Sequence, residues 1–318
     1  MSPVLRGRLS LCIIFITVFI PLTAESAGRL SFPPEWSPQE AVWLEWIETP
    51  GPQSLQAEMI SAMAPHVRIR LLVESDSVRT LAEDSLGARG VDLDRVEFFM
   101  NDLPSFWVRD PGPRFLSDGR NLAIAELGWN HYGYPESMIM DDMQDGTLDE
   151  EIAARLGLPL VSTPVVAEGG AIEASTSCLL SYADVAQARN PGLSLEEIEA
   201  EYLRVYGKDR MIWLDRCPPS DLVKEGAMVD DYYGFGANGH IDEFVRFVND
   251  STLVIAQVDS IESLSDPVSR ADFLVLRENL AQLRTVRRPD GRPFNIVTLP
   301  VPALEYYTWT FELDERHR

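Results

Sequence analysis

The chain has 318 residues, 45% of them hydrophobic and 24% charged, which excludes disordered, collagenous and coiled-coil proteins. With 27 Lys+Arg against 50 Asp+Glu, its formal charge is -23. Such a surface repels phosphate backbones and anionic lipid and attracts amines and guanidinium compounds, so no nucleic acid is expected as a partner.

Residues 1–26 read as a secretory signal outside the fold. Arg6 and Arg8 form a basic start, and Leu9 to Leu22 is an uncharged apolar run too short for a comfortable membrane span. Ala24-Glu25-Ser26 then offers small residues at the two positions a signal peptidase reads. The expected destination is secreted or periplasmic, without membrane association after cleavage; an uncleaved anchor helix is the competing reading. Cys12 lies in the apolar run, which leaves Cys178 and Cys217 for the mature chain. Two cysteines can pair but are no disulfide framework, and they lack the spacing of a structural zinc site.

Helix and strand patterns then alternate. Leu55, Met59, Ile60 and Met63 recur at helical spacing, and Val67 to Leu71 alternates like a half-buried strand. Thr80 to Leu86 reads as helix and Arg95 to Phe99 as strand. Ser177 to Ser181 is strand-like, and Ser194-Leu195-Glu196-Glu197 is a capping box opening a helix to about Tyr206, stopped by Gly207. Arg210 to Leu214, Phe244 to Val248, Thr252 to Val258 and Phe294 to Leu299 read as strands, and Pro267 to Leu283 as helix. The alternation predicts an α/β fold.

Polar clusters sit at strand ends, where loops on a rigid scaffold build sites. His240 and Asp242, two apart on a segment read as extended, face the same way. They suit proton transfer beside a bound cation, or two-thirds of a metal site, or an ordinary structural pair. Pro111 holds Asp110 in direction, leaving Arg109 to pair with it or with another acid. Glu168 precedes Gly169-Gly170, whose unshielded backbone lets a ligand approach. Three carboxylates and one histidine suit a planar guanidinium, which carboxylates hold through paired in-plane hydrogen bonds.

Phe32-Pro33-Pro34-Glu35-Trp36 with Trp43 to Trp46, then Trp107-Val108-Arg109-Asp110-Pro111-Gly112-Pro113, Glu168-Gly169-Gly170-Ala171-Ile172-Glu173, Arg189-Asn190-Pro191-Gly192-Leu193-Ser194 and Gly239-His240-Ile241-Asp242 with Arg246-Phe247 follow one another in order. Together they resemble the agmatine deiminase and bacterial, Porphyromonas-type, peptidyl-arginine deiminase family from about Phe32 to Pro302. The resemblance implies the pentein fold, five ββαβ blades around the active site, here over residues 29–318 and short in its last blade. It implies hydrolysis of a small guanidinium substrate or of peptidyl-arginine to a ureido product and ammonia, through a cysteine thiolate and without a metal or other cofactor. Carried onto this chain, Asp110 and Asp242 clamp the guanidinium, His240 transfers protons, and Glu168 orients His240 or helps bind substrate. Trp107, Arg109, Trp129 and Gly169 line the substrate pocket. The family's nucleophile belongs to a Gly-rich His-Cys segment that these 318 residues do not contain, and neither Cys178 nor Cys217 is expected to replace it. Three functions therefore compete: a deiminase whose nucleophile lies outside this sequence, a guanidinium-binding relic, and a metal-dependent hydrolase using His240, Asp242 and Asp110.

Overall fold

The computed structural model describes residues 28–101, 107–136, 146–234, 236–302 and 304–306. The signal segment 1–26, Cys12, His317 and the tail from Tyr307 lie outside them.

Among the described residues, four three-stranded sheets follow one another along the chain. In the first, β1 (Ala41–Glu45), β2 (Arg68–Val73) and β3 (Val96–Met100) are all parallel, joined by helices α1 (Pro50–Met63) and α2 (Asp76–Gly87). The other three share one plan, an antiparallel hairpin followed by a helical crossover to a parallel third strand. In the second sheet, β4 (Arg114–Ser117) and β5 (Leu122–Gly128) cross through α3 (Leu148–Leu156) to β6 (Leu160–Val166). In the third, β7 (Glu173–Ala174) and β8 (Cys178–Tyr182) cross through α4 (Ala183–Arg189) and α5 (Leu195–Val205) to β9 (Arg210–Leu214). In the fourth, β10 (Val245–Asn249) and β11 (Thr252–Gln257) cross through α6 (Glu262–Ser265) and α7 (Pro267–Thr285) to β12 (Asn295–Pro300).

The second strand is central in every sheet, and the chemistry of β8 shows why. All five of its residues are buried. Leu179 points into a core shared with β5 and β6, through Ala125, Leu127 and Val165. Its neighbours Leu180 and Tyr182 point into a core shared with β10, β11 and α7, through Val245, Ile255 and Leu280. A strand covered on both faces reads as a continuous apolar run, and it welds each sheet to the next. Leu72 of β2 likewise packs with Ile124 of β5, while Ile69 and Leu71 face α1 and α2.

Most predicted elements are present, and the α5 capping box forms: Glu197 N–H donates to Ser194 Oγ at 3.3 Å and Ser194 N–H to Glu197 Oε2 at 2.8 Å. The buried face of α1 differs from the expected one. Leu55 and Met59 are exposed, and Gln56, Ala57 and Ile60 face inward. Gln56 earns that position with its amide, which accepts from Ile47 N–H at 3.2 Å and donates to the Glu45 carbonyl at the end of β1. Cys178 and Cys217 are free buried thiols, so they do not form the pair their count allows. No described helix is long and apolar enough to cross a membrane.

Candidate active site

Three loops and one helix end converge. Asp110 closes a turn by donating its N–H to the Trp107 carbonyl at 2.9 Å, just before β4. Glu168 follows β6 and leads into a single 3-10 turn, Gly169–Ala171. His240 opens another, Ile241–Glu243, before β10. The segment from His240 to Asp242 is therefore a helical turn rather than the extended strand expected of it. Arg189 stands at the end of α4. The first two loops are stitched together by Arg114, whose buried Nη2 donates to the carbonyls of Asp110 and Ala167, both at 2.8 Å.

Asp110 and His240 form the heart of the pocket, 4% and 5% exposed. His240 Nε2 lies 3.6 Å from Asp110 Oδ1 and 3.8 Å from Glu168 Oε1, and it has no hydrogen-bond partner among the described residues. A buried ring nitrogen left unpaired between two carboxylates is placed to exchange a proton with a third party. Gly170 makes room for the ring: a Cβ there would stand 2.2 Å from His240 Nδ1. Asp110 Oδ1 accepts the Gly170 N–H at 2.9 Å and Oδ2 accepts the Tyr132 hydroxyl at 3.1 Å. Burial raises the Asp110 carboxyl above its ordinary range, against the opposing pull of His240 and the Gly170 amide. No arginine or lysine among the described residues lies within ion-pair distance of its carboxylate.

The other acids are paired. Glu168 faces Arg189 through Oε1–Nη2 at 2.6 Å and Oε2–Nε at 3.2 Å. Burial alone would push Glu168 up, but the Arg189 charge and hydrogen bonds hold it below its usual value. Asp242 Oδ2 is taken by Arg109 Nε at 2.8 Å, and Asp242 Oδ1 stands 3.8 Å from His240 Nδ1. The same Arg109 guanidinium meets Glu35 at 2.7 Å and Glu173 at 3.5 Å. Burial opposes its charge, yet these three acids raise its pKa further. Arg246 lies 2.7 Å from Glu173. Burial lifts the Glu173 carboxyl to about 7 despite both arginines.

Residues 31–315 match the Porphyromonas-type peptidyl-arginine deiminase family. The chain belongs to this family. A Streptomyces coelicolor protein provisionally named an agmatine deiminase is 30% identical over 284 residues, 86% of this chain and 77% of its own length. The agmatine deiminase of Pseudomonas putida is 25% identical, across 89% of this chain and 73% of its own. Among solved structures, the agmatine deiminase of Enterococcus faecalis superposes with a TM-score of 0.70 over 90% of this chain and 75% of its own, at 20% identity. The deiminase fold, mixed α/β, is thus the fold of this chain, and the family is one of hydrolases acting on C–N bonds.

Of the eight site residues expected from the deiminase motifs, Asp110, Glu168 and His240 meet in the pocket, with Asp242 at its edge. Gly169 lies against the Asp110 turn, donating its N–H to the Asp110 carbonyl at 3.2 Å, and a Cβ on it would stand 2.1 Å from the Arg109 carbonyl oxygen. It shapes the backbone between the two loops. Arg109, expected to bind substrate, has its guanidinium against Asp242, Glu35 and Glu173. Trp107 is 63% exposed at the head of the turn. Trp129 packs edge-on against Tyr132 at 4.9 Å, and Tyr132 stands 5.6 Å from the His240 ring, so Tyr132 links Trp129 to His240. Residue-by-residue reading missed Arg189, Glu173, Arg246 and Glu35, although each lies within or beside a recognised motif. It also missed Tyr132, whose position after Trp129-Asn130 was the available signal. Among the described residues, no three His, Cys, Asp or Glu side chains converge to hold a metal.

Proposed function

We propose that this chain binds a guanidinium cation against Asp110, with His240 as the proton-transfer group, and serves a deiminase reaction on agmatine or peptidyl-arginine. The observation that carries the reading is the buried Asp110 carboxylate with no arginine or lysine partner among the described residues, beside a His240 nitrogen that has no hydrogen-bond partner among them. In that reaction a thiolate adds to the guanidinium carbon and His240 protonates the departing nitrogen, which leaves as ammonia. Water, deprotonated by His240, then displaces the thiolate and leaves the ureido product. Cys178 and Cys217 are poor candidates for that thiolate. Each is buried in the core, and the Cys217 thiol is pushed well above its ordinary pKa by burial and by Asp221 and Asp184. The nucleophile is assigned to neither of them.

A second reading, a guanidinium-binding protein without turnover, is favoured by that same burial of both thiols. Calorimetric titration with agmatine and with an arginine-containing peptide, beside an ammonia assay, separates the two. Binding of one ligand is expected on the order of 1 μM to 1 mM. Ammonia release would show that a thiol of these 318 residues reaches the site, and failure of both ligands to bind would overturn the reading. Export, expected from residues 1–26, would bring peptidyl-arginine to the protein, and preference for the peptide would support it.

A further inference from the structure

We propose that Asp221 is the positioning residue of this site: a buried carboxylate that gathers the backbone of the His240 loop and so sets where the imidazole meets Asp110 and Glu168. This deepens the preceding reading and rests on it for the role of His240.

Asp221 ends the short 3-10 turn Pro219–Asp221 and is 2% exposed. Its Oδ1 accepts the Ala237 N–H at 2.7 Å, and its Oδ2 accepts those of Gly239 at 2.7 Å and His240 at 3.0 Å. Its main-chain carbonyl accepts the N–H of Asn238 at 2.8 Å. Four consecutive donors thus end on one residue, three of them on a negative charge, the arrangement by which successive N–H groups form an anion-binding concavity.

The loop adopts a backbone it would not choose alone. Asn238 has φ 60° and Gly239 φ 121°, and a Cβ on Gly239 would stand 2.4 Å from Val185. Gly239 and His240 are buried, so without the carboxylate their amides would lie away from water and unpaired. Asp221 is itself anchored from behind, since the neighbouring Ser220 N–H donates to Asp272 Oδ1 of α7 at 3.0 Å.

The loop so held touches every other part of the pocket. Asn238 Nδ2 donates to the Tyr132 carbonyl at 2.8 Å, and Tyr132 donates to Asp110. Arg189 Nη2 donates to the Asn238 carbonyl at 2.8 Å while pairing with Glu168. One carboxylate with no place in the reaction therefore fixes the spacing of the three groups that have one.

Asp221→Asn in the full chain keeps the side-chain shape but replaces one accepting oxygen with a donor that faces N–H groups. Agmatine affinity, measured by calorimetry, should fall about tenfold or more, the loss of roughly one charge-assisted hydrogen bond, and the His240 imidazole resonances should shift. Lys208→Met is the comparison. It removes another buried polar contact, from Lys208 Nζ to the Ser175 and Thr176 carbonyls, and should lower the melting temperature without moving either readout. A folded D221N protein with wild-type His240 resonances and agmatine affinity within about twofold of wild type would overturn the proposal. If the wild-type chain binds neither agmatine nor the arginine-containing peptide, the functional reading fails, and the His240 resonances still decide the role of Asp221. If D221N does not fold, amide exchange in the wild type decides. Ala237, Gly239 and His240 should exchange about a hundredfold more slowly than exposed Asp231 and Tyr233, and equal rates would overturn the inference.

Discussion

Two sides of the site are built from the same residue types and end in opposite electrostatic states. On one side, Asp242, Glu35 and Glu173 close on the guanidinium groups of Arg109 and Arg246, so the chain already holds arginine side chains on its own carboxylates. On the other, among the described residues, Asp110 receives an amide and a phenol but no arginine, and His240 Nε2 stands beside it without a hydrogen-bond partner. Residue type therefore does not decide which carboxylate is offered to a substrate. What decides is whether the fold has already supplied a cation. Glu168 belongs with the paired acids, its charge answered by Arg189 from a helix end 21 residues further along.

The comparison is broken most severely through that last pair. Arg189→Met would leave the fully buried Glu168 charge uncompensated, at about 3–5 kcal/mol of stability, and differential scanning calorimetry should show a large fall in melting temperature. A melting temperature within a degree or so of wild type would mean that Glu168 is protonated rather than paired. Next in size is the contrast between the two expected clamps. Asp110→Asn should weaken agmatine binding by about 2–5 kcal/mol, roughly thirtyfold or more. Asp242→Asn should weaken it less than about tenfold, because Arg109 already occupies that carboxylate. Equal losses would show that Arg109 moves aside for the substrate. Smaller again is a chemical rescue. Arg109→Ala should lower the melting temperature, and millimolar guanidinium chloride should restore part of it by about 1–2 kcal/mol. The wild-type chain, with the position filled, should gain nothing from the same addition.

Elements that depend on neighbours in sequence were legible. Strand β9 occupies the predicted residues, and the α5 cap forms from the Ser194 and Glu197 side chains alone. The motifs also named residues far apart in sequence that the fold brings side by side, since Asp110 and Glu168 stand 3.6 Å and 3.8 Å from His240 Nε2. What local pattern could not show was pairing at a distance. Arg189 stands in a motif segment that names no partner, and only the end of α4 brings it onto Glu168. Arg109 reads as a ligand for substrate until Glu35, from the N-terminal loop, reaches it. The His240 segment has the composition of a strand leading into β10, but Asp221 receives the amides up to His240 and a helical turn, Ile241–Glu243, follows. Asp221 follows Pro218-Pro219-Ser220 with no recognisable motif around it. On α1, the polar Gln56 won the inward face because it satisfies backbone groups at the end of β1, a need invisible to hydrophobic periodicity.

The smallest predicted effect tests the paired side by pH. Glu173 titrates at about 7 in the fold against 4.5 when exposed, and Asp149 at about 6 against 3.8, in both cases because burial favours the neutral acid. The native state therefore holds these protons more tightly than the unfolded chain does. Their contribution is fully present below the unfolded values and is lost as pH rises through about 6 to about 7. Glu168 has the opposite sign. Its pKa lies below 4.5, so its contribution is present above that value and is lost as pH falls through the folded one. The two limbs place maximum stability at about pH 4.5 or just below it, with a decline of roughly 2–4 °C toward pH 8. Self-repulsion at a formal charge of -23 slopes the same way, but molar salt screens it and leaves buried groups largely untouched. In molar salt, then, a wild-type melting temperature that still declines toward pH 8, and a shallower decline in Glu173→Gln, would assign that limb to the carboxylate between Arg109 and Arg246. Identical slopes would mean that Glu173 is ionised throughout and that its arginines overcome burial.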